Sequence, residues 1–214
     1  METFKVKRDK SHYCQKYDDL PRFISYFYQI DIARKLQPKN ILEVGIGNGT
    51  VTSYLRQQGF QIVTCDFDKS LEPDFIADIR KLPFKDASFD VVLAYEILEH
   101  LPWEDVDKAL NELARVSKKN VVISLPYASL AFECVLRLPL LYSLIGKSFI
   151  DLKFHIPKFF QRIHFNGEHY WEIGWRGFAL SRIRRRLKHR FRAYPSRPAA
   201  LHVITPHAMC NIAI

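Results

Sequence analysis

The chain has 214 residues, 48 % apolar and 26 % charged, which argues against wholesale disorder and suits one α/β domain with a real core. The formal net charge of +9 is unevenly placed. Residues 1–136 carry 18 Lys/Arg against 20 Asp/Glu, whereas residues 137–214 carry 14 against 3. That asymmetry bears on which surface meets an anionic partner, not on the fold. Four cysteines (Cys14, Cys65, Cys134 and Cys210) lie far apart with no Cys-x-x-Cys, so neither a zinc site nor a disulfide framework is expected. Met1 to Lys10 is charged and has no apolar signal core, so a reduced, cytoplasmic setting is the expectation.

In chain order, Tyr26–Leu36 reads as an amphipathic helix ending before Pro38. Asn40–Gly45 is a short apolar run ending in glycine, the pattern of a buried strand, and Thr50–Gln58 is the following helix with Gly59 as its stop. Further strands are expected at Gln61–Asp66, Asp74–Ala77, Phe89–Tyr95 and Asn120–Leu125. A helix is expected at Trp103–Ser117, with Glu104 and Asp105 in its first turn and Lys118 and Lys119 at its end to suit the helix dipole. Near-continuous apolar strands alternating with helices predict a parallel sheet covered on both faces, with ligands at the carboxyl ends of the strands.

After Pro126 the rhythm breaks. Ser129–Ile150 is apolar but contains Arg137, Pro139 and Lys147, which makes it a poor membrane span. It reads as an inserted cap over the site. Arg176–Arg190 is a very basic helix, and closing antiparallel strands are placed loosely at His189–Tyr194 and His202–Thr205. The organisation is therefore a single domain: an N-terminal helical segment (1–39), a cofactor-binding core (40–126), a cap insertion (127–166), and a basic helix with closing strands (167–214).

Glu43-Val44-Gly45-Ile46-Gly47-Asn48-Gly49 follows a strand and opens a helix. Glycines there permit a tight turn and close approach of backbone to ligand. The spacing is Gly-x-Gly-x-Gly, because position 50 is threonine, which weakens a dinucleotide reading. Asp66 ends the second strand, where a carboxylate can accept both hydroxyls of a ribose. Asp78 ends the third, where it can accept from an adenine amino group while the next backbone N–H donates to the ring. A single such acid is more often a solvated loop residue; three elements in register at strand ends reduce that weight.

The segments LEVGIGNG, VTCDFD, ADIRKLPF, FDVVLAYEILEHL and NVVISLP, in this order over Asn40–Pro126, resemble the successive motifs of class I S-adenosylmethionine-dependent methyltransferases. The similarity is to the small single-domain branch that includes enzymes of the ubiquinone- and menaquinone-biosynthesis type. The resemblance implies an α/β, Rossmann-like, seven-stranded, mainly parallel sheet with helices on both faces, and S-adenosyl-L-methionine as cofactor. It further implies that Glu43 and Gly45 lie near the methionine end, that Gly47 and Gly49 belong to the cofactor site, and that Asp66 holds the ribose. Phe67 packs on adenine, Asp78 and Ile79 read the adenine edge, and Ala94 and Tyr95 flank the sulfonium.

A base is needed only where the acceptor must lose a proton. The candidates after the fourth strand are Glu96, Glu99 and His100. Glu96 and His100 share a face on a helical turn, and an imidazole titrates in the right range. A packing or capping role for His100 stands beside that reading. His155, His164 and His169, with Glu168 and Glu172, show no recognisable metal spacing and read as solvated or structural; no metal is expected. The run Arg182, Arg184, Arg185, Arg186, Lys188, Arg190 and Arg192 is equally a solvated helix face or a contact for phosphate. The expected function is methyl transfer to a small-molecule acceptor, an anionic one if the basic run makes contact with it. RNA, a lipid-linked acceptor or an anionic membrane surface rank below it. A non-catalytic S-adenosylmethionine-binding module is a further alternative, and a nicotinamide oxidoreductase ranks last.

Overall fold

The computed structural model describes residues 17–137, 150–165, 167–192, 200–205 and 208–213. Its first element, α1 (Leu20–Lys35), starts a turn and a half before the expected Tyr26. The Asp19 side chain accepts from the Arg22 backbone N–H at 3.0 Å, and Pro21 fixes the first turn, so two start signals lie upstream of the apolar periodicity.

The Rossmann-like core follows the expected order: β1 (Asn40–Val44), α2 (Thr50–Gln57), β2 (Gln61–Asp66), β3 (Phe75–Ile76), β4 (Phe89–Tyr95), α3 (Val106–Val116) and β5 (Ser117–Ser124). Trp103–Asp105 is a 3-10 turn leading into α3. Lys118 and Lys119 lie in β5 and not, as expected, at the end of the helix, which closes at Val116. The chain passes directly from Val116 into the strand, with Phe89 paired to Ser117.

Two strands, β6 (Ser129–Leu136) and β7 (Ile150–Pro157), then form a separate antiparallel sheet. The basic helix α4 spans Leu180–Arg192, and β8 (Ala200–Thr205) and β9 (Ala208–Ala213) follow. His189 to Arg192 is therefore helix, not the first closing strand; residues 193 and 194 lie outside the described set. Nor is β8 antiparallel: it runs parallel to β5, and only β9 reverses.

The main sheet has the order β3-β2-β1-β4-β5-β8-β9, with every pair parallel except β8–β9. Alternation along the strands feeds two cores. Ile41, Val91 and Leu93 pack with Ile32, Ala33 and Leu55 of α1 and α2 on one face. Leu42, Val92 and Ala94 pack with Leu110, Leu113, Ile183 and Leu187 of α3 and α4 on the other. Strands buried on both sides read as apolar runs for this reason.

Candidate active site

A cavity of ≈ 430 Å³ opens at the carboxyl ends of β1, β2 and β4, within the size range of small-molecule sites. The turn after β1 forms its floor. Gly45, Gly47 and Gly49 have φ of 84°, 54° and 74°, the left-handed region that glycine enters without strain. A Cβ on Gly45 would stand 2.6 Å from Ile97 Cδ1, so the backbone there approaches its neighbour as closely as only glycine allows. Gly45 and Gly47 line the cavity, whereas Gly49 serves as the N-cap of α2 and is not among the lining residues.

Asp66 carries the turn from below. Its carboxylate accepts the backbone N–H groups of Ile46 at 3.0 Å and Asp68 at 2.9 Å. A carboxylate offers about four acceptor sites, so capacity remains for a ligand hydroxyl. Burial raises its pKa, and those backbone hydrogen bonds oppose the rise. From above, Asn48 Nδ2 donates to the Asp18 carboxylate at 3.1 Å and to the Tyr26 hydroxyl at 3.1 Å, and Tyr26 donates to Asp18 at 2.9 Å.

Glu43 is fully buried in the wall. Burial pushes its carboxyl up to about 7, and a hydrogen bond from the Thr52 hydroxyl only partly offsets this. Phe67, Asp78 and Ile79 also line the cavity. Asp78, however, is gripped by Arg80, which donates from Nε at 3.0 Å and Nη2 at 2.7 Å while its Nη1 reaches Asp105 at 2.6 Å. An adenine amino group would have to share an oxygen with that fork. Tyr95 lines the cavity and donates its hydroxyl to the Gln29 carbonyl at 2.9 Å. Ala94 is fully buried against α3 and α4 and is not among the lining residues.

The other end of the cavity gathers titratable groups. Glu96 has φ of 51°, an uncommon conformation for a residue with a side chain, and its N–H donates to Ser124 Oγ at 3.0 Å. Burial raises the Glu96 pKa and drives that of Glu99 well above the ordinary range, where the neighbouring Glu96 charge adds to it. Glu96 Oε1 and both Glu99 carboxylate oxygens are buried without a hydrogen-bond partner. His100 Nδ1 meets the Glu168 carbonyl at 2.8 Å, and its ring lies edge-on to His169, with centroids 4.8 Å apart. His169 Nδ1 meets Glu172 at 2.6 Å. Burial pushes the Glu172 carboxyl up, but the hydrogen bond and charge of His169 outweigh it and leave the pKa lowered.

Glu99, His100 and His169 each offer one ligand atom within 4.8 Å of the others, so this trio could hold a metal ion. Spacing alone showed no such cluster, because His169 comes from a distant segment. Sequence reasoning also missed Arg22, Ser25 and Gln29 of α1, which wall the cavity. Ser25 and Gln29, one helical turn apart, were the available signal: both are polar and buried, and Gln29 Nε2 bonds Ser25 at 3.1 Å and Ser124 at 3.2 Å. The β6–β7 hairpin contributes no described residue to the lining, so α1 and Glu168–His169 occupy the place expected of the cap. His164 is exposed, and nothing is described of the His155 side chain.

Residues 42–125 match the family described as Methyltransferase domain. Over that span the sequence is similar to S-adenosylmethionine-dependent methyltransferases of class I. It is 28 % identical over 138 residues to a ubiquinone biosynthesis O-methyltransferase of Hahella chejuensis, covering 56 % of this chain and 54 % of that one. It is 31 % identical over 130 residues to a demethylmenaquinone methyltransferase of Thermus thermophilus, covering 50 % and 58 %. It is also 31 % identical over 111 residues to a norajmaline N-methyltransferase of Rauvolfia serpentina, covering 43 % and 37 %. The matched part thus spans less than two thirds of each relative's own length.

Proposed function

We propose that the protein is an S-adenosylmethionine-dependent methyltransferase acting on a small-molecule acceptor. One observation carries the reading: a single cavity joins the glycine turn, Asp66, Asp78 and Ile79 to the Glu96, Glu99, His100 and His169 cluster. The first set suits a nucleoside with a short amino-acid arm, and the second suits an acceptor that carries an exchangeable proton. The norajmaline N-methyltransferase, ubiquinone biosynthesis O-methyltransferase and demethylmenaquinone methyltransferase among the relatives favour a small acceptor for this chain too.

When bound, the cofactor supplies a methyl group on a positively charged sulfur, already activated for transfer. What remains for the protein is alignment and exclusion of water. The turn Gly45–Asn48 presents backbone to the ligand. Asp66 accepts from ribose hydroxyls, Phe67 packs on the base, and Asp78 with Ile79 reads its edge. Glu43 and Tyr95 border the methionine end. Gln29 ties the α1 wall to Ser124 of the sheet, which holds the water-excluding side in place. For an acceptor hydroxyl, His100 takes the proton, with Glu96 beside it as the second candidate.

Calorimetric titration with S-adenosylmethionine, S-adenosylhomocysteine and NAD tests this reading. Binding of the first two and not the third is expected. Binding of NAD in their place, or of none of the three, would overturn it.

A further inference from the structure

The β6–β7 hairpin turns a broad apolar face to solvent. Its register pairs Leu130 with Ile156, Phe132 with Phe154 and Cys134 with Leu152. Alternate strand positions share a face, so these six side chains form one surface. Phe132 is 66 % and Phe154 76 % exposed, and Leu130, Leu152 and Ile156 are exposed as well. Phe159, Phe160 and Phe165 extend the same character beyond the strands. Soluble monomers seldom leave so many large apolar groups together in water.

The charge around this face identifies what covers it. Lys158 and Arg162 are interleaved with the three phenylalanines, and no acidic residue occurs from Lys158 to Phe165 or at the six face positions. The whole of residues 137–214 carries 14 Lys/Arg against 3 Asp/Glu. A protein partner is ordinarily met by an apolar centre with a polar rim of mixed character. The alternate strand positions hold Glu133 and Asp151 against Lys153, so the excess of cations lies in the segment that follows the hairpin. An aromatic and aliphatic strip continued by an acid-free basic segment is an arrangement that rests in the headgroup region of an acidic bilayer. A two-stranded hairpin leaves strand edges unpaired, which the hydrocarbon interior does not tolerate, so the face would lie along the interface. No described helix is long and apolar enough to cross a membrane.

The hairpin is also fixed relative to the cavity. Pro126 lines the cavity and its carbonyl accepts from Ile173 N at 3.1 Å. Ala128 N donates to Ile173 O at 2.8 Å, and Arg176 N donates to Gln161 O at 2.9 Å. We propose that the β6–β7 face docks the protein on an anionic lipid bilayer. The docking goes beyond the methyltransferase reading and stands independently of cofactor binding.

The test is sedimentation of the full chain with vesicles of phosphatidylcholine alone and of phosphatidylcholine mixed with phosphatidylglycerol. Binding to the mixed vesicles is expected, weaker with added salt. Phe132→Ser with Phe154→Ser should reduce the partition by at least about tenfold, because two large apolar groups are withdrawn from burial. Phe159→Ser with Phe160→Ser, outside the strands, should also weaken binding and serves if the first pair fails to fold. Lys158→Gln with Arg162→Gln should reduce binding to the mixed vesicles selectively. Wild-type protein that stays in the supernatant with both vesicles overturns the proposal, as does unchanged partition of both folded phenylalanine variants. A wild-type dimer that the phenylalanine variants dissociate, with no vesicle binding, assigns the face to a second copy instead.

Discussion

Asp66 Oδ2 accepts the backbone N–H of Ile46 at 3.0 Å, so the acid that closes β2 also holds the glycine turn that follows β1. Asp66→Ala should therefore affect the cofactor twice, through the lost ribose acceptor and the loosened turn. S-adenosylmethionine affinity should fall by about 1–3 kcal/mol, the range of hydrogen bonds to charged groups. Asp66→Asn, which keeps one acceptor oxygen, should fall between that variant and wild type. Calorimetry reads both, and wild-type affinity in the alanine variant would remove Asp66 from the binding site.

Glu43 makes stability depend on pH. Its carboxyl is raised from 4.5 to about 7 by burial, so between those values the folded state keeps a proton that the unfolded state has released. Stability should accordingly fall as pH rises from about 4.5 to about 7 and level off above, by on the order of 3 kcal/mol in full. Glu43→Gln should flatten that part of the curve. Denaturant midpoints measured across the window decide it: parallel curves for the two proteins contradict the assignment. A cationic ligand beside Glu43 would restore the ionised form, so titrations near pH 7 in buffers of different ionisation enthalpy should register proton release.

His100 and Glu96 can be separated by kinetics once an acceptor is in hand. His100→Ala should lower the single-turnover transfer rate by about 10²–10⁴-fold to an acceptor that must be deprotonated. S-adenosylmethionine affinity should hold. Glu96→Gln should do the same if the carboxylate is the base. Rates within a few-fold of wild type in both variants would leave alignment as the whole of the mechanism.

Gly174 has φ of 99°, and a Cβ there would stand 2.3 Å from the Ala128 carbonyl oxygen. The atom in the way is backbone at the root of the hairpin and cannot rotate aside. Gly45→Ala meets the flexible end of Ile97 instead. Gly174→Ala should lower the melting temperature more than Gly45→Ala, with a strain cost of about 1–3 kcal/mol. Calorimetric melting of both variants tests the order.

The basic helix is not one uniform charged face. Arg186 Nε pairs with Asp107 at 2.8 Å and its guanidinium lies 4.1 Å from the Trp103 ring, while Arg190 makes a second contact to Asp107 at 2.5 Å. Burial pushes the Asp107 carboxyl up, but the two arginines overcome that and leave it below the ordinary range. Arg186→Ala should therefore destabilise the α3–α4 contact by about 1–2 kcal/mol, whereas Arg185→Ala, at an exposed position, should leave the melting temperature nearly unchanged. Equal losses in the two would show that the helix acts as a single surface. Reversing Arg184, Arg185 and Arg186 together would mix a folding defect with any loss of acceptor binding.

The parallel core was legible because β1, β2 and β4 are largely buried and so appear as near-continuous apolar runs, interrupted by Glu43, Thr64 and Asp90. That Asp66 and Asp78 border the cavity was legible because they lie at or just past strand ends. The walls of the cavity were not. Arg22, Ser25 and Gln29 lie outside every motif, and His169 reaches His100 only through the folding of a distant segment. The hairpin did carry its own sign: Leu130, Phe132, Cys134 and Leu136 alternate with period two, which a reading based on overall apolarity passes over. Of the two closing strands, the one at His202–Thr205 falls within β8, whereas the one at His189–Tyr194 was misplaced because His189–Arg192 continues the apolar spacing of α4 through Ile183, Leu187 and Phe191, a helical signal that outweighs local strand propensity.

Asn48 is tied to Asp18 and Tyr26 on one side of the glycine turn, while Asp66 holds Ile46 on the other. A loop of this kind would ordinarily be ordered by its ligand, at an entropic cost of about 1–2 kcal/mol for each residue fixed. Here that ordering is completed when the chain folds. A ligand then meets a turn already held from both sides, and affinity can come from few contacts. The same tethers make Asp18, just before α1 and not among the cavity-lining residues, a determinant of affinity: loosening it would return the entropy of the turn to the binding step.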